Sequence, residues 1–290
     1  MGHFGPIRSD LYACLHPPHS AVVEGECHET EKVMAILETK ELTKTFGGLT
    51  AVDHLSFAVE EETIHGLIGP NGAGKSTAYN LISGFYAPTA GQVFYDGEDI
   101  SGLRPEKIAE RGLTRSFQSG SMYPEFNVFD NVLSACYLSA RSNLFATILG
   151  LNVPREKAAR ERTRELLHAY DLAERAEEEA ANLPHGLQRR LGVTLAMATE
   201  PRLLLLDEPF TGMNAQETQN MMDHVRKIQS AGTTVLIVEH DMHAIMNLCE
   251  TVTVMNFGSL LAQGTPQEIR NDPNVIEAYL GSTENAAAAG

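Results

Sequence analysis

A glycine-rich segment between an apolar run and a helical pattern holds the residues best suited to bind phosphate. Gly69 to Thr77 reads Gly-Pro-Asn-Gly-Ala-Gly-Lys-Ser-Thr and fits the pattern G-x-x-x-x-G-K-[ST]. The preceding run His65–Ile68 predicts a buried strand, and Ser76–Ile82 predicts a helix. Glycines let the backbone amides turn towards phosphate oxygens, and the helix amino terminus adds the positive end of its dipole. The segment therefore predicts a phosphate-binding loop for a nucleotide.

The side chains at the end of this loop have separate expected roles. The Lys75 ammonium can reach the β- and γ-phosphates, and the Ser76 hydroxyl can ligate magnesium. The other residues assigned to nucleotide binding here are Gly69, Pro70, Asn71, Gly72, Ala73, Gly74 and Thr77.

Two acids follow an apolar run later in the chain. Leu203 to Glu208 reads Leu-Leu-Leu-Leu-Asp-Glu, and in open α/β sheets the ligand sits at the carboxyl ends of the strands. Asp207 can hold magnesium through its water shell, together with Ser76. Glu208 can orient or deprotonate the attacking water. A polar strand end with a helix cap is the alternative, and the phosphate loop favours the catalytic interpretation.

Two further polar residues follow predicted strands. His240 comes after the buried run Val235–Val238 and can hydrogen-bond a γ-phosphate or the attacking water. Gln118 comes after Phe117 at the end of another predicted strand. Taken alone, a histidine at a strand end is usually structural, and Gln118 is an ordinary polar residue.

Composition limits the classes of function. The chain has 290 residues and a net charge of -16, which argues against a broad nucleic-acid surface because phosphate neutralisation needs clustered Lys and Arg. Its four cysteines are scattered without the spacing of a zinc site or redox motif, so reduced thiols in a reducing cytosol are expected. No apolar run is long enough to span a bilayer, and no secretion signal is evident.

The order of patterns predicts an α/β domain with an inserted helical part. Ala35–Phe46 and Val52–Val59 read as antiparallel strands joined at Gly47-Gly48. Strands alternate with helices around the loop and again after about residue 185, which indicates a largely parallel sheet. The remaining predicted elements are strands Gly91–Tyr95, Leu113–Phe117, Arg202–Leu206, Thr233–Val238, Val252–Met255 and Ser259–Ala262, and helices Pro105–Arg111, Leu187–Ala198, Gln216–Gln229, Met242–Leu248, Pro266–Arg270 and Asn274–Leu280.

Domain boundaries follow from the same patterns. Residues 1–33 lack periodicity and predict a flexible extension, with translation starting at Met34 as the alternative. Residues 34–281 form the predicted compact domain, with a helical insert at about 119–185. Residues 282–290 are alanine-rich and predict a disordered tail.

The order of these motifs resembles the ATP-binding subunit of ABC transporters over about Met34 to Gly281. Finer details resemble the branched-chain amino-acid importer ATPases. These details are Phe46-Gly47-Gly48-Leu49 before Ala51-Val52-Asp53, Arg115-Ser116-Phe117-Gln118, Leu183-Pro184, Gly212-Met213-Asn214, Val238-Glu239-His240-Asp241-Met242 and Val275-Ile276-Glu277-Ala278-Tyr279-Leu280-Gly281. The resemblance implies a P-loop NTPase fold of the ABC type, a mostly parallel sheet with an antiparallel β subdomain and a helical insert.

The resemblance also implies an activity, cofactors and partners. The activity is hydrolysis of ATP with Mg²⁺ to ADP and phosphate, coupled to transport. The implied partners are two membrane permeases and a second ATPase subunit, identical or different, with an external solute-binding protein acting indirectly. The implied location is cytoplasmic, peripheral on the inner face of the cell membrane. Solute choice lies in the partner proteins, so the sequence does not define the solute.

The resemblance also implies a role for each residue of this chain that matches a family motif. Phe46 would stack on adenine with Val52 beside it, and Gln118 would touch magnesium or the lytic water and sense the permease. Glu208 would be the general base and His240 the γ-phosphate switch. The last segment assigned to nucleotide binding would complete the partner's site, and comprises Leu183, Pro184, His185, Gly186 and Leu187.

That segment departs from the usual Leu-Ser-Gly-Gly-Gln pattern. Pro184 replaces the serine, which removes a hydroxyl and a backbone donor, although Pro184 also occurs in some branched-chain importer ATPases. His185 could donate a hydrogen bond instead, and a helix start at Leu187 would keep some anion affinity. Asn214 replaces the usual aspartate at the subunit junction, again as in this subfamily.

Three other functions stay open at this stage. A lipopolysaccharide-export ATPase is the nearest rival, and the Val275–Gly281 segment and Pro184 favour the importer. A soluble ABC protein acting on ribosomes or DNA is disfavoured by the acidic charge and the single phosphate loop. A regulatory subunit, with turnover at the other site of its pair, is suggested by the altered Leu183–Leu187 segment.

Overall fold

The computed structural model describes residues 35–116, 122–139 and 153–279. The strands in these ranges are β1 (Ala35–Phe46), β2 (Leu49–Glu60), β3 (Ile64–Ile68), β4 (Ala90–Tyr95), β5 (Glu98–Asp99), β6 (Leu113–Arg115), β7 (Leu203–Asp207), β8 (Thr234–Val238), β9 (Thr251–Asn256) and β10 (Ser259–Gly264). The helices are α1 (Lys75–Ile82), α2 (Pro105–Ala109), α3 (Val128–Ser139), α4 (Val153–Ala169), α5 (His185–Met197), α6 (Ala215–Ser230), α7 (Met242–Leu248), α8 (Pro266–Asn271) and α9 (273–279).

The smaller of two sheets is antiparallel, with the strand order β2-β1-β4-β5. β1 and β2 are joined at Gly47-Gly48, as predicted, and Gly47 adopts a φ of 55° in the turn. β2 begins at Leu49, earlier than the predicted Val52, because the pairing with β1 continues to the turn.

The larger sheet has the order β10-β9-β3-β8-β7-β6. The pairs β9–β3, β3–β8, β8–β7 and β7–β6 are parallel, and only β10 among its described strands is antiparallel to its neighbour. The prediction of a largely parallel sheet is therefore confirmed. Because parallel strands end at one edge, the residues after β3, β7 and β8 meet there.

Alternate residues of β7 enter two different cores. Leu204 and Leu206 pack with residues from the helices that follow β6, whereas Leu203 and Leu205 pack with the smaller sheet and α1. A strand buried on both faces reads as a continuous apolar run, which is the pattern that predicted this strand. Fully burying each such leucine contributes about 1.5–3 kcal/mol, so the edge that carries the polar residues is firmly anchored.

The described part of the predicted helical insert is helical. Val132 of α3, Leu166 of α4 and Leu191 of α5 are buried in one core with Leu204 of the sheet. α5 begins at His185, two positions before the predicted Leu187. The predicted extension 1–33 and tail 282–290 lie outside the described residues. Among the described helices, none combines the length and hydropathy that a membrane crossing requires.

Candidate functional site

The predicted phosphate loop connects β3 to α1, as expected from the sequence. Gly74 is the N-cap of α1 and adopts a φ of 96°. The Lys75 Nζ donates to the carbonyl oxygens of Gly69 at 2.7 Å and Pro70 at 3.1 Å. Burial lowers the pKa of Lys75, while the charges of Glu208 and Glu239 act in the opposite direction. The ammonium is thus held inside the loop that would receive phosphates.

Two glycines of the loop are fixed by close backbone approaches. A Cβ on Gly74 would overlap the carbonyl oxygen of Ala51, and one on Gly69 would overlap that of Met255. The Gly258 amide also donates to Ala73 O at 3.0 Å. The loop therefore lies against β2 and the β9–β10 turn, where side chains at these glycines would not fit.

A cavity of about 510 Å³ opens on the loop. Its size falls in the range of about 300–1,000 Å³ that is typical of small-molecule sites. It is lined by Asn71, Gly72, Ala73, Gly74, Lys75, Ser76, Thr77, Glu208, Leu49, Thr50, Ala51, Phe257 and Gly258. Seven loop residues and the predicted base thus face one cavity, as a nucleotide site requires.

The structure brings Glu208 and His240 together. The His240 Nδ1 lies 3.6 Å from Glu208 Oε1 and 3.6 Å from an oxygen of Glu239. Glu208 adopts a φ of 47°, a left-handed conformation uncommon outside glycine, and its amide donates to Val238 O at 2.8 Å. Strain of this kind clusters at functional sites, and here it directs the carboxylate towards the histidine and the cavity.

Asp207 lies at the end of β7 and is paired with a cation. Its Oδ2 accepts from Arg115 Nη2 at 3.1 Å, and the two side chains are only 11% and 18% exposed. Burial raises the pKa of Asp207, and Arg115 partly opposes that rise. Arg115 is held in turn by Asn80 Oδ1 at 2.7 Å and by the Tyr79 ring, whose centroid lies 4.4 Å from the guanidinium carbon.

The residues at this edge fit a magnesium ion shared with phosphate. Ser76 is exposed at the cavity, and Asp207 is the strand-end carboxylate expected to act through water. In the described ranges, no cluster of three or more His, Cys, Asp or Glu side chains could hold a metal by itself. Magnesium at nucleotide sites takes only one or two protein oxygens and completes its shell with water and substrate phosphates, so this donor set is compatible with it.

The two residues predicted to contact adenine have different environments. Phe46 is 43% exposed and stands edge-on to Tyr86, with the ring centroids 5.3 Å apart. Val52 is 0% exposed and belongs to the core beneath the smaller sheet. The residues immediately before it, Leu49–Ala51, line the cavity instead. The aromatic ring is therefore available for stacking, whereas the Val52 side chain is enclosed.

The segment Leu183–Leu187 forms the start of α5. Pro184 is the N-cap, where its missing amide leaves no donor, and His185 is exposed beside it. Gly186 is buried, and a Cβ there would lie 3.2 Å from Glu217 Oε1. This segment is absent from the residues that line the phosphate-loop cavity of its own chain.

Three residues of the candidate site remain: one that the sequence predicted and two that it did not. Gln118 lies outside the described residues. Sequence reasoning assigned no role to Arg115, which holds Asp207, or to Glu239, which is fully buried beside His240. A charged residue inside a strand pattern could have identified Arg115, and a carboxylate directly after a buried strand could have identified Glu239.

Comparisons with known proteins show the family of this chain. The family described as "ABC transporter" matches residues 52–211, and the family "Branched-chain amino acid ATP-binding cassette transporter" matches residues 259–285. The chain is 42% identical to the high-affinity branched-chain amino acid transport ATP-binding protein BraF of Pseudomonas aeruginosa, over 85% of this chain and 98% of that protein. It is 38% identical to the LivG protein of Escherichia coli over the same shares of both chains.

A solved structure has the same architecture. The ADP conformation of an ATP-binding cassette of an ABC transporter superposes with a TM-score of 0.76 and 29% identity, covering 86% of this chain and 99% of that one. The predicted fold of the ABC type is confirmed by this match. With the phosphate loop and Glu208 at one cavity and His240 beside Glu208, the chain belongs to the ATP-binding subunits of ABC transporters.

Proposed function

We propose that this chain is the ATP-hydrolysing subunit of an importer for branched-chain amino acids or related small organic solutes. The observation that carries the hydrolytic part is the 3.6 Å approach of His240 to Glu208 beside the phosphate-loop cavity. The solute class rests on the branched-chain amino acid transport proteins to which the chain is similar and on the family match over residues 259–285.

The geometry supports a role for each group in ATP hydrolysis. The loop amides and Lys75 bind the phosphates, and Lys75 exchanges its bonds to Gly69 and Pro70 for phosphate oxygens. Glu208 orients the attacking water and accepts its proton. His240 holds the γ-phosphate by a hydrogen bond, and its 3.6 Å approach to Glu208 supports a shared role for the two groups at the reacting atom.

Magnesium would be held by the Ser76 hydroxyl and, through water, by Asp207, with Gln118 as a further proposed contact. When bound, the ion neutralises charge on the β- and γ-phosphates. Phe46 supplies the adenine stack.

The proposed assembly contains two membrane permeases and a second ATPase subunit, identical or different, with an external solute-binding protein acting indirectly. In this assembly, Leu183–Leu187 of one ATPase completes the site of the other, and the surface near residues 118–131 docks on a permease. Tyr123 and Phe126, which are 54% and 45% exposed, form an aromatic pair on the described part of that surface. The assembly places the chain on the cytoplasmic face of the cell membrane.

Affinity purification from detergent-solubilised membranes tests the importer assignment. The tagged chain should bring down two polytopic membrane proteins and an ATPase subunit, identified by mass spectrometry. A Tyr123→Ser/Phe126→Ser variant should lose the membrane proteins while keeping its fold, because both rings are exposed. Recovery of only ribosomal or other soluble partners would contradict transport.

Glu208→Gln tests the hydrolytic assignment separately. The amide cannot accept the proton from water, so turnover should fall by at least about a hundredfold while nucleotide binding persists. Wild-type turnover in this variant would show that Glu208 is not the base.

A further inference from the structure

Glu239 carries a fully buried carboxylate that is surrounded by backbone donors. Its side chain accepts from the amide of Phe210 at 2.9 Å through Oε1. Through Oε2 it accepts from the amides of His240 at 2.9 Å and Asp241 at 3.3 Å. The residue is 0% exposed, so these bonds take the place of water around the charge.

The three donors belong to two different loops. Phe210 lies two positions after Glu208 in the loop that leaves β7, whereas His240 and Asp241 begin the loop that leaves β8. These strands are neighbours in the parallel sheet. The Glu239 carboxylate therefore connects the loop that contains Glu208 to the loop that contains His240.

The bond from the Phe210 amide to Glu239 lies two residues after a strained backbone position. Glu208 has a φ of 47°, and such conformations persist only where surrounding contacts determine them. Two bonds join this loop to the end of β8: Glu208 N donates to Val238 O at 2.8 Å, and Phe210 N donates to Glu239. Loss of the second bond would free the residues after Glu208 to relax.

Charge also argues for a role beyond packing. Burial raises the pKa of Glu239, and the backbone bonds oppose that rise. Burying a carboxylate is unfavourable even when it is hydrogen-bonded, so a strand end with only a structural role is better served by a neutral side chain. The charge of Glu239 also acts on the phosphate loop, because it opposes the lowering of the Lys75 pKa by burial.

We propose that Glu239 is a positioning residue that fixes Glu208 and His240 relative to each other for attack on the γ-phosphate. The proposal rests on the hydrolytic function proposed above. Glu239 acts through its neighbours and does not contact the nucleotide.

Glu239→Gln is the direct test because its shape is unchanged while one oxygen becomes an amide that cannot accept. Either Phe210 or the His240–Asp241 amides then lose their acceptor and meet another donor. We expect kcat for ATP to fall at least about tenfold with KM changed less than about threefold, because misplacement affects the reacting groups and leaves phosphate binding intact. Glu239→Asp keeps the charge but is too short to bond both loops, so it should also lower kcat with little change in KM. This variant replaces Glu239→Gln in the test if the glutamine variant does not fold.

Glu250→Gln is a control at an exposed carboxylate that also bonds a backbone amide. Glu250 Oε2 accepts from the backbone amide of Ile64 at 2.6 Å. This bond lies at the amino-terminal ends of β3 and β9, whereas the bonds of Glu239 lie at the carboxyl ends of the strands. This variant should keep the wild-type kcat. Equal losses of kcat in the Glu250 and Glu239 variants would reduce Glu239 to a structural role and overturn the proposal.

Coupling to the histidine provides the second readout. In single turnovers with excess protein, adding Glu239→Gln to a His240→Ala variant should lower the rate by a smaller factor than it does in the wild type, because part of its effect runs through the histidine already removed. A full multiplicative loss, or unchanged kcat in the single variant, would overturn the proposal. If Glu208→Gln abolishes turnover while Glu239→Gln keeps the wild-type kcat, only this inference fails. If Glu208→Gln keeps turnover, the hydrolytic function itself fails.

Discussion

At the residue scale, Arg115 is the cation that offsets the buried charge of Asp207. Its guanidinium also reaches Asn80 and stacks on Tyr79, so several contacts fix one orientation. Lysine lacks the planar fork that makes these contacts together. Asp207 is therefore presented at the sheet edge by an arginine that comes from the neighbouring strand.

We predict that Arg115→Met destabilises the protein by about 1–3 kcal/mol, because it leaves Asp207 with an unpaired, largely buried charge. The measurement is urea unfolding of Arg115→Met, Asp207→Asn and the double variant. The Arg115 substitution should cost less in the Asp207→Asn background, by about 1 kcal/mol or more. Additive losses would mean that the pair contributes no coupling energy.

His65 predicts a pH-dependent stability away from the site. Its ring is buried in β3, its Nε2 lies 2.8 Å from Thr253 Oγ1, and burial lowers its pKa to about 4. The unfolded chain binds a proton near pH 6.5, whereas the folded chain does not until about pH 4. The stability contributed by the neutral ring is therefore present above pH 6.5 and is lost as pH falls towards 4.

Comparison of wild type with His65→Gln isolates this effect, since glutamine can still bond Thr253 and does not titrate. Between pH 7.5 and 5, the wild type should lose about 2 kcal/mol more unfolding free energy than the variant. Denaturant titrations at both pH values measure the difference. Equal losses would show that His65 is not the group that titrates.

The sequence predicted that Glu208 and His240 lie close together, but it did not predict the groups that support them. Glu208 and His240 follow apolar strands, and the carboxyl ends of parallel strands meet at one edge, so their proximity was expected. Glu239 is polar by type, and its burial depends on amides from a loop far away in the sequence. Val52 stays a predicted neighbour of adenine, and the pleat of β2 directs its side chain into the core.

At the element scale, helix starts depend on local capping that periodicity does not report. α5 begins at His185 because Pro184 with its fixed φ of -53° is a suitable first flanking residue, so the helix starts before the periodic apolar pattern. α6 begins after Asn214, whose Oδ1 accepts from the amides of Gln216 and Glu217 at 3.0 Å. The order of strands in the larger sheet depends on tertiary packing. The sequence predicted that these strands are largely parallel, but it did not predict their order.

Asn214→Ala should lower the unfolding free energy by about 1 kcal/mol, because it removes the acceptor at the start of α6. Asn214→Asp keeps the acceptor and adds a negative charge at the positive end of the helix dipole, so it should match or slightly exceed wild-type stability. Thermal and denaturant unfolding of the three proteins measure this order. Equal stability of the alanine variant would show that the cap is dispensable.

At the scale of the whole molecule, the nucleotide cavity joins the two sheets. Leu49–Ala51 come from the antiparallel sheet, whereas Glu208 and the phosphate loop extend from the parallel one. The Asp53 amide also donates to Gly258 O at 2.9 Å, across the same junction. A ligand in this cavity therefore contacts both halves of the domain at once.

We predict that nucleotide stabilises both sheets together. A ligand that binds only the folded state at a concentration one hundred times its Kd adds about 2.7 kcal/mol, which for a chain of this size raises Tm by about 5 °C. Calorimetry of the full chain with and without MgADP should show one transition that moves as a whole. Lys75→Met should keep the transition and lose most of the shift, because the ammonium is the loop's main charge for phosphate. If part of the unfolding stayed in place while the rest moved, the nucleotide would contact only one sheet.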